Sequence, residues 1–162
     1  MIKPERLKTG DTIGIISPCD LLKPEYICKA IKNIEKLGLK IKLSNNIFSN
    51  SAVYAASICE RAQDFNDMIA DKEVKMVFFG GGEVCNEILP YIDFENIRKN
   101  PKIICSFSDG TTIVDAVYSR VDMVTFYGSN PNMFMNLSEY NKNSFISRLY
   151  EGNTVYQKAS TW

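Results

Sequence analysis

The chain has no histidine among its 162 residues. A serine or cysteine nucleophile therefore lacks its usual general base, and any metal site would have to be built from carboxylates and thiolates alone. Net charge is missing as well, because 19 Lys and Arg balance 19 Asp and Glu. With the basic residues scattered, no field draws the chain toward nucleic acid or an anionic membrane surface. No apolar run approaches the roughly 20 residues that span a bilayer. The opening Met1-Ile2-Lys3-Pro4-Glu5-Arg6 is charged and does not read as a signal peptide. The five cysteines (Cys19, Cys28, Cys59, Cys85, Cys105) are odd in number and share no C-x-x-C spacing. Spacing thus indicates neither a disulfide framework nor a metal cluster, and buried thiols in a reducing cytoplasm are the expectation.

What is present is the composition of a folded domain: 45% hydrophobic and 23% charged residues, in a length suited to one core. Thr12 to Ile16 reads as a buried strand, and Pro24 opens a helix with Ile27, Ala30, Ile31, Ile34 and Leu37 on one face. Leu39, Ile41 and Leu43 alternate with lysines as a second strand. Ser57 and Glu60 form a capping box ahead of a helix that buries Ala62, Phe65 and Ile69. Val74 to Phe79 is a third strand, running into Gly80-Gly81-Gly82. A short helix around Asn86 to Leu89 follows, then a turn through Pro90 and Asp93 and a loop containing Asn100-Pro101. Lys102 to Ser106 is strand four, with a helix after Ser108. Asp122 to Phe126 reads as strand five, and a last helix runs from about Ser138 to Tyr150, stopped by Gly152. Repeated βα units imply an α/β fold: a flavodoxin-like, doubly wound, mostly parallel sheet with helices on both faces.

In such a sheet the working groups gather at the carboxyl ends of the strands, where Ser17, Gly80 to Gly82 and Ser108 fall. Ser106-Phe107-Ser108-Asp109-Gly110 has the layout of a nucleophile elbow. Small residues at the −2 and +2 positions let a sharp strand-to-helix turn push the Ser108 hydroxyl out of the sheet. The N–H of Asp109 would then face a tetrahedral oxyanion. Equally, Ser108 satisfies the pattern of a plain helix cap. The glycine triplet permits close approach of backbone N–H groups to an anion, and also suits an ordinary tight turn. It fits neither a Walker A loop nor G-x-G-x-x-G. Asp93, Glu83, Glu87 and Asp109 show no spacing that specifies acid–base work. Asp20 follows strand one, but strand three ends in glycines where a phosphoaspartate receiver would carry its aspartate.

Four segments taken together resemble the LD-carboxypeptidase family of serine peptidases, which includes microcin C self-immunity peptidases. They are Tyr54-Ala55-Ala56 with Glu60-Arg61-Ala62-Gln63-Asp64-Phe65-Asn66; Gly81-Gly82 through Asn86-Glu87-Ile88-Leu89-Pro90-Tyr91-Ile92-Asp93; Asn100-Pro101-Lys102-Ile103 through Phe107-Ser108-Asp109; and Thr125-Phe126-Tyr127-Gly128. The resemblance implies that residues 1–150 are a nucleophile-bearing N-terminal domain. It makes Ser108 the nucleophile, with Asp109 and one of Gly81 or Gly82 giving oxyanion N–H groups. A C-terminal domain would carry the Glu and His of a Ser-Glu-His triad, and residues 151–162 would start the linker to it. Implied substrates are small peptides or peptidyl-nucleotides with an amide-type bond beside a free carboxylate, and no cofactor is implied. Ser106 departs from the family's usual Gly, and Gly110 from its Ile, Val or Ala.

On this reading the chain is inert alone, having a nucleophile and no base. A non-catalytic carboxylate-binding module and a decayed fragment are the alternatives. An exposed apolar surface is expected where a second domain would dock, with self-association as a consequence.

Overall fold

A computed structural model describes residues 1–51 and 54–153. Strands β1 (Thr12–Ile15), β2 (Lys40–Leu43), β3 (Val74–Phe78), β4 (Ile103–Ser106) and β5 (Phe126–Tyr127) form one sheet in the order β2-β1-β3-β4-β5. Every pairing within it is parallel. Helices α1 (Pro24–Glu35), α2 (Ile58–Ala70), α3 (Phe94–Lys99) and α4 (Thr111–Val121) make the crossovers, and α5 (Glu139–Ile146) follows β5. This is the flavodoxin-like, doubly wound arrangement that the βα alternation implies.

The strand order explains the two cores. The chain leaves β1 in one direction to reach β2, then reverses past β1 to add β3, β4 and β5. Right-handed crossovers consequently put α1 on one face and α2, α3 and α4 on the other. Phe65, Ile69, Val77, Phe79, Ile97, Ile104, Val114 and Val117 are buried together on the second face. Ile13, Ile15, Ile27, Ile34, Met76, Phe78, Ile103 and Phe134 are buried together on the first. Alternate residues of the central strands thus feed opposite cores, which is why these strands read as continuous apolar runs. Phe78, Phe134 and Phe145 stack edge to face along the first core, with centroids 5.9 and 5.1 Å apart.

Several elements differ from the sequence reading. The segment Asp122 to Phe126 is not a continuous strand. Asp122 ends α4 with a left-handed backbone (φ 57°), Met123 bridges Ile2, and only Phe126–Tyr127 pairs with β4. Residues 94–99, expected to lie between a turn and a loop, form α3, capped by Asp93 accepting from the Asn96 N–H at 2.9 Å. A 3-10 turn at Pro131–Asn136 packs against α1, where Asn33 donates to the Phe134 carbonyl at 2.7 Å. The last helix is regular only to Ile146 and widens into a π-type turn over Ser147–Glu151. Of the expected linker at 151–162, residues 154–162 lie outside the described residues.

Candidate active site

The loops after β1, β3 and β4 meet at the carboxyl end of the sheet, where the winding direction reverses. Ser108 follows β4 and opens a 3-10 turn, Ser108–Gly110, that continues directly into α4. Its backbone sits at φ 56°, in the left-handed region, which costs a residue with a β-carbon roughly 1–2 kcal/mol. Strain at an exposed serine between a buried strand and a helix is the geometry of a nucleophile elbow. A plain cap does not account for it. Phe107 and Gly110 occupy the capping positions of the turn and of α4, and neither makes a side-chain cap bond. Among the described residues no side chain hydrogen-bonds the Ser108 hydroxyl. Thr111 Oγ1 donates to the Ser108 carbonyl at 2.5 Å and pins the turn from behind.

The small residues flanking Ser108 are required by contact. A β-carbon on Gly110 would stand 2.1 Å from Ser106 Oγ and 3.0 Å from Ser106 Cβ. Positions −2 and +2 of the turn therefore share one space, filled here by the Ser106 side chain. Ser106 is fully buried, and its hydroxyl donates to the Gly80 carbonyl at 3.4 Å, tying β4 to the glycine loop.

The glycines after β3 have different neighbours. A β-carbon on Gly81 would meet Ser108 Cβ at 2.5 Å, the Phe107 carbonyl oxygen at 2.9 Å and the Asp109 nitrogen at 3.1 Å. On Gly82 it would meet the Cys19 carbonyl oxygen at 2.4 Å and Asp20 Cβ at 2.5 Å. Gly81 thus lies against the Ser108 turn, and Gly82 against the loop after β1. Both contacts need glycine for space. The Glu83 N–H donates to the Cys19 carbonyl at 3.1 Å and completes this link.

Arg61 is a structural member of the site that spacing alone does not reveal. The residue is 2% exposed, and its guanidinium ties three segments together. It donates to the Ala56 carbonyl at 3.0 Å and the Pro18 carbonyl at 2.5 Å, pairs with Glu87, and stacks on the Tyr54 ring at 4.3 Å. Such a planar fork satisfies several acceptors at once, although the Glu87 side chain is itself 31% exposed. Glu87 is thereby committed to Arg61, as Asp93 is to the start of α3.

The fold also brings together groups that sequence spacing keeps apart. Cys19, Cys85 and Asp109 place two sulfurs and a carboxylate oxygen within 4.8 Å of one another. Cys85 Sγ donates to the Asp109 carbonyl at 3.3 Å. Hydrogen bonding to Cys19 and burial hold the Cys85 thiol far above its ordinary range, so it is protonated at neutral pH. Sequence spacing shows no such cluster because the three residues follow three different strands. Beside Gly81 a cleft of about 200 Å³ is lined by Ser17, Asp20, Lys23, Tyr26 and Asn132.

Comparison with known proteins gives this geometry its family. Residues 13–128 match the LD-carboxypeptidase N-terminal domain. The chain is 37% identical over 127 residues to a probable murein peptide carboxypeptidase of Bacillus subtilis (strain 168), an alignment covering 78% of this chain and 40% of that protein. It is 31% identical over 127 residues to the microcin C7 self-immunity protein MccF of Escherichia coli, covering 75% of this chain and 37% of that one. The crystal structure of an MccF-like protein from Bacillus anthracis str. Ames superposes with a TM-score of 0.86 at 32% identity, covering 92% of this chain and 47% of that chain. The chain thus spans about two fifths to one half of these relatives. With residues 13–128 matched and 92% of the chain superposed on a solved relative, the chain belongs to the LD-carboxypeptidase family.

Proposed function

We propose that this chain is the nucleophile-bearing half of a serine peptidase that cleaves amide bonds beside a free carboxylate. The observation that carries the reading is the strained Ser108 at φ 56°, exposed at the start of α4 with Gly81 packed against it. Ser108 Oγ attacks the scissile carbonyl. The N–H groups of Asp109 and Gly81 bind the oxyanion that forms, aided by the positive end of α4. Gly82 holds the glycine loop against the loop after β1, which leaves Gly81 as the second donor. Substrate lies in the cleft beside Gly81, where Lys23 supplies an ammonium for an anionic group.

Ser108 needs a proton acceptor. The chain has no histidine, and we assign the base to a second domain bearing the Glu and His of the triad, joined through residues 151–162. Tyr26 in the first turn of α1, and Phe48, Val84, Phe107 and Tyr127 in or after the carboxyl ends of β2 to β5, are exposed and give that domain an apolar seat. Solved relatives support the substrate class. One structure holds MccF with aspartyl sulfamoyl adenosine, and another holds it with glutamyl sulfamoyl guanosine. The murein-peptide relative favours a short peptide with a terminal carboxylate.

Turnover tests the reading. The chain is mixed with, or fused to, the C-terminal domain of the B. subtilis relative and given peptides with free or amidated carboxyl ends. The account predicts release of the terminal residue from the free-carboxylate peptide only, and its loss in Ser108→Ala. Binding of the free-carboxylate peptide with no turnover in the reconstituted protein would instead make this chain a carboxylate-binding module.

A further inference from the structure

Beneath the Ser108 turn the loops after β1, β3 and β4 each contribute one electron-pair donor to a single point. Cys19 and Cys85 are 1% and 0% exposed, and a carboxylate oxygen of Asp109 joins their sulfurs within 4.8 Å. Backbone packing holds the loops together beside these side chains, with Gly81 against the Ser108 turn. The Glu83 N–H donates to the Cys19 carbonyl, and Gly82 packs on the Cys19 backbone. The donors are therefore gathered in advance. Asp109 Oδ2 is buried and has no hydrogen-bond partner among the described residues. A buried carboxylate oxygen without a donor is expensive, and a cation beside it removes that cost.

We propose that Cys19, Cys85 and Asp109 form a binding site for a single thiophilic divalent cation of the zinc type. Two sulfurs and one carboxylate are a donor set that favours zinc over magnesium or calcium, which take oxygen ligands. On binding, each thiol gives up its proton to solvent as its S–H bond is replaced by a sulfur–zinc bond. Two thiolates on one tetrahedral zinc stand about 3.7 Å apart, as bonds of about 2.3 Å require. The observed separations close to that value by movements of at most about an ångström. Three protein donors leave a fourth position for water or a backbone carbonyl. An ion there anchors the Asp109 side chain and so stiffens the backbone N–H that lies beside Gly81. Binding itself does not depend on Ser108 acting as a nucleophile.

Cobalt and zinc titrations of the reduced, metal-free chain test this without any assay of activity. The prediction is one cobalt per chain, with a thiolate-to-cobalt charge-transfer band and the strong visible bands of tetrahedral cobalt, displaced by one equivalent of zinc. Cys19→Ser, Cys85→Ser and Asp109→Asn should each weaken binding at least about tenfold. The double variant Cys28→Ser/Cys59→Ser, which removes the two exposed thiols, should bind as wild type does. Asp109→Asn preserves size and carries the test should a cysteine variant fail to fold. Absence of the charge-transfer band would overturn the proposal. So would a band that survives loss of Cys19 and Cys85 but disappears with Cys28 and Cys59.

Discussion

Ser108 holds a backbone conformation that its own β-carbon opposes, and the surrounding contacts keep it there. If the strain is local, Ser108→Gly should stabilise the domain by about 0.5 kcal/mol, once glycine's extra freedom in the unfolded chain is subtracted. Ser108→Ala keeps the β-carbon and should leave stability nearly unchanged. Urea unfolding of the two variants measures this, and a destabilised Ser108→Gly would refute the strain account. The neighbouring pair is coupled through space. Gly110→Ala should cost about 1–3 kcal/mol, because its new methyl overlaps Ser106 Oγ at 2.1 Å. In a Ser106→Gly background the same change should cost less than about 1 kcal/mol, a coupling that a double-mutant cycle reads directly. The two departures from the family pattern, Ser at −2 and Gly at +2, are thus one exchange of volume across a shared space. The need for small residues at both positions was legible in the sequence. Their mutual contact was not, because it depends on how tightly the turn closes.

The elements with strong periodicity or paired end signals were legible: α1 from Pro24, α2 from the capping box of Ser57 and Glu60, β1, β3 and β4 from their largely apolar runs, and β2 from its alternation with lysines. The box is complete, with the Glu60 carboxylate accepting from the Ser57 N–H at 3.0 Å. Helix α3 is six residues long, too short for a period to register, although Asp93 before it and Arg98-Lys99 at its end were available as signals. The apolar run after α4 could not locate β5, since pairing of Ile2 with Met123 decides where the chain can reach β4. At the amino end of the strands, opposite the site, Lys102 precedes β4 and donates to the carbonyls of Asp71 and, at 2.6 Å, Val74. Burial pushes its pKa down to about 8 from the ordinary 10.5, with the Asp71 carboxylate opposing. Between those values the unfolded chain binds the proton more fully than the folded one. Stability therefore gains a contribution as pH rises from about 8 to 10.5, and loses it as pH falls through 8. Chemical denaturation across that window should show a less positive slope for Lys102→Met than for wild type. Identical slopes would contradict the assignment.

Across the whole molecule, the doubly wound order follows from the alternation of elements, and the convergence of three loops at its reversal point follows from that order. Ser108 and the glycine turn were foreseeable for this reason, since each lies directly after a strand. The grouping of Cys19 and Cys85 was not, because closeness across β1, β3 and β4 leaves no mark in linear spacing. Nor does the sequence single out Arg61 as the clamp between the segment before α2 and the loops after β1 and β3. The central claim is that this chain supplies a nucleophile and its oxyanion turn while the base comes from a second domain. Labelling with a fluorophosphonate, read by mass spectrometry of the intact chain and its peptides, tests this most directly. One label on Ser108 is predicted in the presence of the C-terminal domain of a relative, with slow or no labelling of the chain alone and none in Ser108→Ala. No label in the reconstituted protein, or a label that persists in Ser108→Ala, would contradict it.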